Sequence, residues 1–242
     1  MKIIEKLNMD KNGLLKNGPI NIVILGDSVS HGAIVDNIDY ENVYWNRLRK
    51  MINSYRDYVP VNMICASVGG TTAKDAVPRL DSQVLCHHPD LVIVSFGLND
   101  VNHPIEDYLS SLSTIFEKCQ QAGSDVIFMT PNMLNTYVSE ETEEKHLRYA
   151  AITAQYQNEG RMDLFMNDAV CLAEKMGVAV CNCYQMWKKL SLQQDTTLLL
   201  ANRINHPLPH MHQLFADCLY SAIIDTSTGT ERTDSTMFET QS

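Results

Sequence analysis

The feature that most constrains this chain is its rhythm, in which short apolar, β-branched runs alternate with longer amphipathic stretches along most of 242 residues. Asn21 to Leu25 reads as a first strand, and a stretch near Tyr44 to Ile52 as the helix after it. Val61 to Cys65 predicts a second strand, Thr72 to Leu80 a helix and Leu91 to Phe96 a third strand. The third run is apolar almost throughout, as a strand covered on both faces of a parallel sheet must be. In the next helix, Asp107 to Ala122, the residues Leu109, Leu112, Ile115, Phe116 and Cys119 recur at three and four, and Gly123 stands where a helix ends. Val126 to Met129 is a fourth strand, stopped by Pro131. Val178 to Val180 is a short fifth, behind a helix carrying Met162, Phe165, Ala169, Leu172 and Met176. Repeated units of this kind predict an α/β chain, a three-layer α/β/α sandwich around a parallel five-stranded sheet.

With 45% hydrophobic residues, the chain can bury one sizeable core. A single domain is expected over residues 1–225, of which 1–19 form a lead-in. Residues 226–242, rich in Thr and Ser, are expected to be disordered. Between Asn132 and Arg161 the rhythm breaks, and the polar, acidic run Ser139 to Lys145 reads either as a lid or as a solvated surface helix. The net charge of −10, without any Lys/Arg-rich run, speaks against a nucleic-acid partner. No apolar run approaches the length of a membrane span, and the charged N-terminus MKIIEKLNMDKNGLLK lacks the apolar core of a secretory signal. Seven scattered cysteines then read as reduced thiols and place the chain in the cytoplasm. Cys181-x-Cys183 lacks zinc-site spacing, and Pro207 and Pro209 keep His206 and His210 off one regular helix face. No metal or other cofactor is expected, and oligomeric state is not written in the sequence.

Open parallel sheets bind ligands at the carboxyl ends of their strands, so chemistry is sought there. Gly26-Asp27-Ser28 follows the first strand, Ser67-Val68-Gly69-Gly70 the second and Gly97-Leu98-Asn99-Asp100 the third. Late in the chain, Asn202-Arg203-Ile204-Asn205-His206-Pro207 precedes a helix with Met211, Leu214, Phe215, Cys218, Leu219 and Ile223 on its apolar face. A serine at a strand end, amides at a glycine turn, an asparagine and a histidine are the parts that acyl transfer needs. Of the other histidines, His31 and His103 also lie close to these motifs.

Gly26-Asp27-Ser28, Gly70, Asn99 and His206 resemble, in order and placement over about residues 20 to 225, the four blocks of the SGNH (GDSL-type) esterase and lipase family. That resemblance implies a flavodoxin-like sandwich and hydrolysis of ester bonds through an acyl-serine. Ser28 is then the nucleophile and His206 its general base. The oxyanion is held by the Ser28 and Gly70 N–H groups and the Asn99 side chain, Gly70 being chosen over Gly69 because it aligns with the family's glycine.

Many members of that family carry an aspartate three residues before the histidine, but this chain has Arg203 there. A guanidinium accepts no hydrogen bond, so a Ser28–His206 dyad is expected. A backbone carbonyl, or the amide oxygen of Asn202 or Asn205, is left to orient the ring. Candidates for contact with substrate are Asp27, Asp36, Asp39, Tyr40, Tyr44, Trp45 and Asn132, with Tyr44 and Trp45 serving equally well to pack the first helix. The expected substrate is a small or carbohydrate ester with a short acyl group such as acetyl. The alternatives are longer acyl chains, as for a lipase or thioesterase, and a binding module without activity.

Overall fold

The computed structural model describes residues 2–55 and 59–228 of the protein, with side chains to residue 224. Five parallel strands, β1 (Ile20–Gly26), β2 (Val61–Cys65), β3 (Leu91–Ser95), β4 (Asp125–Met129) and β5 (Ala179–Cys181), form one sheet in the order β2-β1-β3-β4-β5. The order reverses beside β1, which pairs with β2 on one side and β3 on the other, with Ile24 opposite both Cys65 and Ile93. Ile22, Val23, Ile24 and Leu25 are fully buried, as are the apolar residues Leu91 to Val94 of β3. Their near-continuous apolarity is what a sheet covered on both faces demands.

Eleven α-helices are described: α1 (Lys2–Leu7), α2 (Lys11–Asn17), α3 (Ser28–His31), α4 (Tyr44–Asn53), α5 (Ala73–Ala76) and α6 (Leu80–Gln83), followed by α7 (Ile105–Gln121), α8 (Leu147–Asn158), α9 (Arg161–Lys175), α10 (Cys183–Leu190) and α11 (His212–Thr228). One layer is built on α4 and α11, which pack together and reach β2 and β5; the other is built on α7 and α9, which reach β4 and β5. The three-layer α/β/α sandwich with a five-stranded parallel sheet is the architecture the sequence predicts.

Several boundaries differ from expectation for physical reasons. The helix expected over Thr72 to Leu80 is broken into α5, a 3-10 turn at Val77–Arg79 and α6, because Pro78 cannot donate to a helical carbonyl. The lead-in folds as α1 and α2. The Ile3 N–H donates to Asp125 at 2.9 Å, and Lys6 pairs with Asp90 at 2.8 Å. Of the tail expected to be disordered, residues 226–228 continue α11, and 229–242 lie outside the described residues. The acidic run Ser139 to Lys145 is a turn that ends in a 3-10 stretch, Glu144–His146, with α8 following it.

The strand-to-helix turn after β1 requires Gly26. A Cβ there would lie 2.7 Å from the Ser95 carbonyl oxygen and would also strike the Ser30 side chain. Gly26→Ala is therefore expected to cost about 1–3 kcal/mol of stability through overpacking. The urea-unfolding midpoint measures it, and an unchanged midpoint would show that the turn can open.

Candidate active site

Asp27 caps α3, its Oδ1 accepting the Val29 N–H at 3.0 Å, and so turns the chain sharply out of β1. Ser28 is the first residue of that short helix, where no helical carbonyl accepts its N–H. Behind it, Ser30 bonds the Tyr44 hydroxyl at 2.9 Å, and its carbonyl takes the Trp45 indole N–H at 2.9 Å. These contacts fix α3 against α4.

His206 comes from the other end of the chain, on a narrow hairpin in which Leu200 bridges Pro207. The Ala201 N–H donates to the His206 carbonyl at 2.6 Å. Asn202 Oδ1 accepts the N–H groups of Ile204, Asn205 and His206, each at 3.0 Å. Asn132 donates to the Asn205 carbonyl at 2.9 Å, and the Asn135 N–H to that of Ile204 at 2.9 Å. The ring so held stands with Nε2 2.9 Å from Ser28 Oγ and Nδ1 2.7 Å from the Ile34 carbonyl oxygen. A carbonyl only accepts, so Nδ1 carries the proton and the Nε2 lone pair faces the serine.

The other two motifs are drawn together by Asp100, whose Oδ1 accepts the Ala73 N–H at 2.8 Å and whose Oδ2 accepts the Gly97 N–H at 3.0 Å. Asn99 donates one amide hydrogen to the Thr71 carbonyl at 3.0 Å, leaving a second for a ligand. Gly70 lies at φ +75°, a left-handed conformation that glycine adopts without strain. Its neighbour Gly69 faces Ser28, since a Cβ there would lie 3.7 Å from Ser28 Cβ. Among the described residues, no group of three or more His, Cys, Asp or Glu side chains is placed to hold a metal.

A family model for the GDSL-like lipase/acylhydrolase family matches residues 24–214, from within β1 into α11. The chain belongs to that family. As a member of this GDSL-like acylhydrolase family it is a carboxylic ester hydrolase. No curated protein sequence matches it. Among solved structures it is similar to Axe2, an acetylxylan esterase from Geobacillus stearothermophilus, at 16% identity and a TM-score of 0.65, over 88% of this chain and 95% of that one. It is also similar to the acetyl xylan esterase AlAXEase at 19% identity and a TM-score of 0.66, over 84% of this chain and 100% of that one. A third, LAE5, an α/β hydrolase from the metagenome of Lake Arreo, Spain, gives 20% identity and a TM-score of 0.64, over 84% and 94%. At these identities the likeness is one of fold.

Within this family fold, several residues nominated from sequence have structural duties instead. Asn202 and Asn205 do not reach the His206 ring: Asn202 Oδ1 serves backbone N–H groups, and Asn205 Oδ1 accepts the Asn202 amide at 3.0 Å. Tyr44 is fully buried, and Trp45 is half-buried with its indole on the Ser30 carbonyl, so both pack the turn that carries Ser28. Asn132 is fully buried under the histidine hairpin. Asp27 is buried with one carboxylate oxygen unpartnered. Asp36, Asp39 and Tyr40 stay on the exposed loop after α3, Asp39 capping Glu41 and Asn42. His31 turns to the Tyr40 hydroxyl at 3.1 Å. The Ile34 carbonyl has no sequence signature, because any residue supplies one.

Burial sets the electrostatics. Desolvation holds the His206 imidazole below its ordinary 6.5 against the pull of the Ile34 carbonyl, with nearby His146 adding to the depression. The Asp27 carboxyl is pushed up to about 7, first by burial, against the lowering bond from Val29, and further by the charge of Asp100. Asp100 is itself raised to about 6, again chiefly by burial.

A raised carboxylate means that the folded protein holds a proton which the unfolded chain has released. Stability is lost as pH rises from about 3.8 through about 7 for Asp27. Asp27→Asn keeps an amide oxygen for the Val29 N–H and removes the titration. Its stability relative to the unsubstituted protein is expected to improve steadily between pH 4 and pH 8, followed by urea denaturation at each pH. A difference independent of pH would show that Asp27 folds uncharged or fully paired.

Proposed function

We propose that the protein hydrolyses small esters bearing a short acyl group, acetyl above all, on small or carbohydrate alcohols, through an acyl-Ser28 intermediate. The observation that carries this reading is the 2.9 Å contact between Ser28 Oγ and a His206 Nε2 whose other nitrogen is held by the Ile34 carbonyl. Ser28 Oγ attacks the ester carbonyl carbon as its proton passes to Nε2. The carbonyl π electrons move onto oxygen, which is met by the N–H groups of Ser28 and Gly70 and the second amide hydrogen of Asn99. Collapse of the tetrahedral species breaks the bond to the alkoxide, which takes the proton from Nε2 and leaves as the alcohol. Water then repeats the cycle on the acyl-serine, releasing the acid.

A dyad of this kind gives the ring a neutral acceptor where a triad gives it a charged one. The Ile34 carbonyl fixes the tautomer but brings no full charge to stabilise the imidazolium, so the ring stays neutral and available as a base at neutral pH. Two of the neighbours that share the fold are named acetylxylan or acetyl xylan esterases, which supports the short-acyl choice. A second reading, cleavage of longer acyl chains, is favoured by exposed Val35, Ile38 and Val68, which stand on the loops that carry Ile34 and Gly70. Seven free thiols are in keeping with a cytoplasmic setting.

Rates over acyl esters of increasing length and over acetylated sugars, with Ser28→Ala as control, separate these readings. The short-acyl reading expects kcat/KM to peak at acetyl, and a peak beyond about six carbons would replace it. Fluorophosphonate labelling is expected to place one adduct on Ser28; folded protein without the adduct would sink the mechanism. Asn99→Ala is expected to lower kcat by about 10²–10³ with little change in KM, the effect of removing one oxyanion donor. Because the neutral ring is the active form and its pKa is depressed, the acid limb of kcat/KM is expected to turn below pH 6.5.

A further inference from the structure

Arg203 stands three residues before His206, and its side chain turns away from the ring. Its backbone is left-handed, at φ +57°, at the tip of the histidine hairpin. Nη1 donates to the carbonyls of Leu198 and Leu200 at 2.8 and 2.7 Å. Nε and Nη2 both reach Glu141 Oε2, at 2.7 and 2.5 Å. Glu141 belongs to the acidic turn, whose other end carries Lys145. Lys145 pairs with Glu143 at 2.7 Å and reaches Asp36 at 3.8 Å, two residues beyond the Ile34 carbonyl that holds His206 Nδ1. The contacts make a closed circuit: histidine hairpin, Arg203, Glu141, acidic turn, Lys145, Asp36, Ile34 and back to the histidine ring.

The two ion pairs in that circuit are unequal. Lys145 and Asp36 are both more than half exposed and 3.8 Å apart, a geometry that contributes little. Arg203 is 18% exposed and its partner Glu141 65%, so what sets this pair apart is geometry: two donors on one carboxylate oxygen and two more charge-assisted bonds on main-chain carbonyls. A carboxylate attracts an imidazolium by its charge over some distance, whereas a neutral carbonyl must be placed accurately to hold the ring. Accuracy therefore depends on how firmly the hairpin is tied to its surroundings.

Taking Ser28 and His206 as the reacting pair, we propose that Arg203 is a positioning residue that clamps the histidine hairpin to the acidic turn through Glu141. It thereby does by tethering what the aspartate of a triad does by charge. Arg203→Ala is expected to lower kcat about tenfold with KM within about twofold, as a small misplacement of the base does. Glu141→Ala is expected to match it, and the double variant to be no worse than either single one. Arg203→Lys should recover part of kcat by restoring one bond to Glu141. Arg203→Asp should be worse than Arg203→Ala, since a carboxylate there would face Glu141.

Thermal melting and the pH profile of kcat are recorded for each variant alongside its rate. A merely structural Arg203 would lower the melting temperature and leave kcat unchanged below it, which would overturn the proposal. So would additive losses in the double variant, or a gain of activity in Arg203→Asp, which would mark the position as a vacated triad site. Fluorophosphonate labelling of the unsubstituted protein keeps the two readings apart: without an adduct on Ser28 the esterase mechanism fails, whereas normal labelling with a silent Arg203→Ala fails the clamp alone.

Discussion

Pairing of β1 on both edges is the constraint from which the rest of the structure follows. A strand with parallel neighbours on either side has its backbone groups fully committed to the sheet, and its side chains must be apolar on both faces. It also marks the place where the strand order reverses, so the chain leaving β1 and the chain leaving β3 part toward opposite layers and leave a crevice at their carboxyl ends. Ser28 emerges into that crevice because Gly26 lets the turn pass under Ser95 and Asp27 caps the helix that follows. The neighbouring loops are then knitted into a single rim by Asp100 and Asn99.

Most of the Ser28 side of the candidate site was legible in the sequence, because it is local. Period-two and continuous apolar runs gave the strands, and a ligand-bearing loop after each strand follows from the topology. The Ser28, Gly70 and Asn99 motifs lie within a few residues of those strand ends. Pro78 is visible in the sequence, and it breaks a helix that the apolar spacing alone predicts as continuous. The helix α10, with Trp187 fully buried, has eight residues, too few for a periodicity to stand out in the sequence.

The His206 side was far less legible, and for a physical reason. The Ile34 carbonyl, the Asn202 oxygen that gathers three N–H groups and the Asn132 amide beneath the hairpin act through main-chain atoms or on main-chain partners. Such roles depend on where a distant segment arrives in space, and no residue type announces them. Tyr44 and Trp45 show the converse: aromatic residues beside a nucleophile suggest a sugar platform, yet burial assigns them to packing. Arg203 was visible as a departure from the family pattern, but its partner Glu141, 62 residues away, was not.

The bond between His206 and Ser28 closes a loop of 178 residues, and no shorter piece of the chain contains it. Closing so long a loop carries an entropic cost that must be met before the contact returns anything, so such contacts form late in folding. A molecule in which β1 and α3 have formed already displays Ser28, but without the histidine hairpin the serine lacks its 2.9 Å contact with His206. On the proposed mechanism, labelling of Ser28 would then report that the two ends of the chain have met.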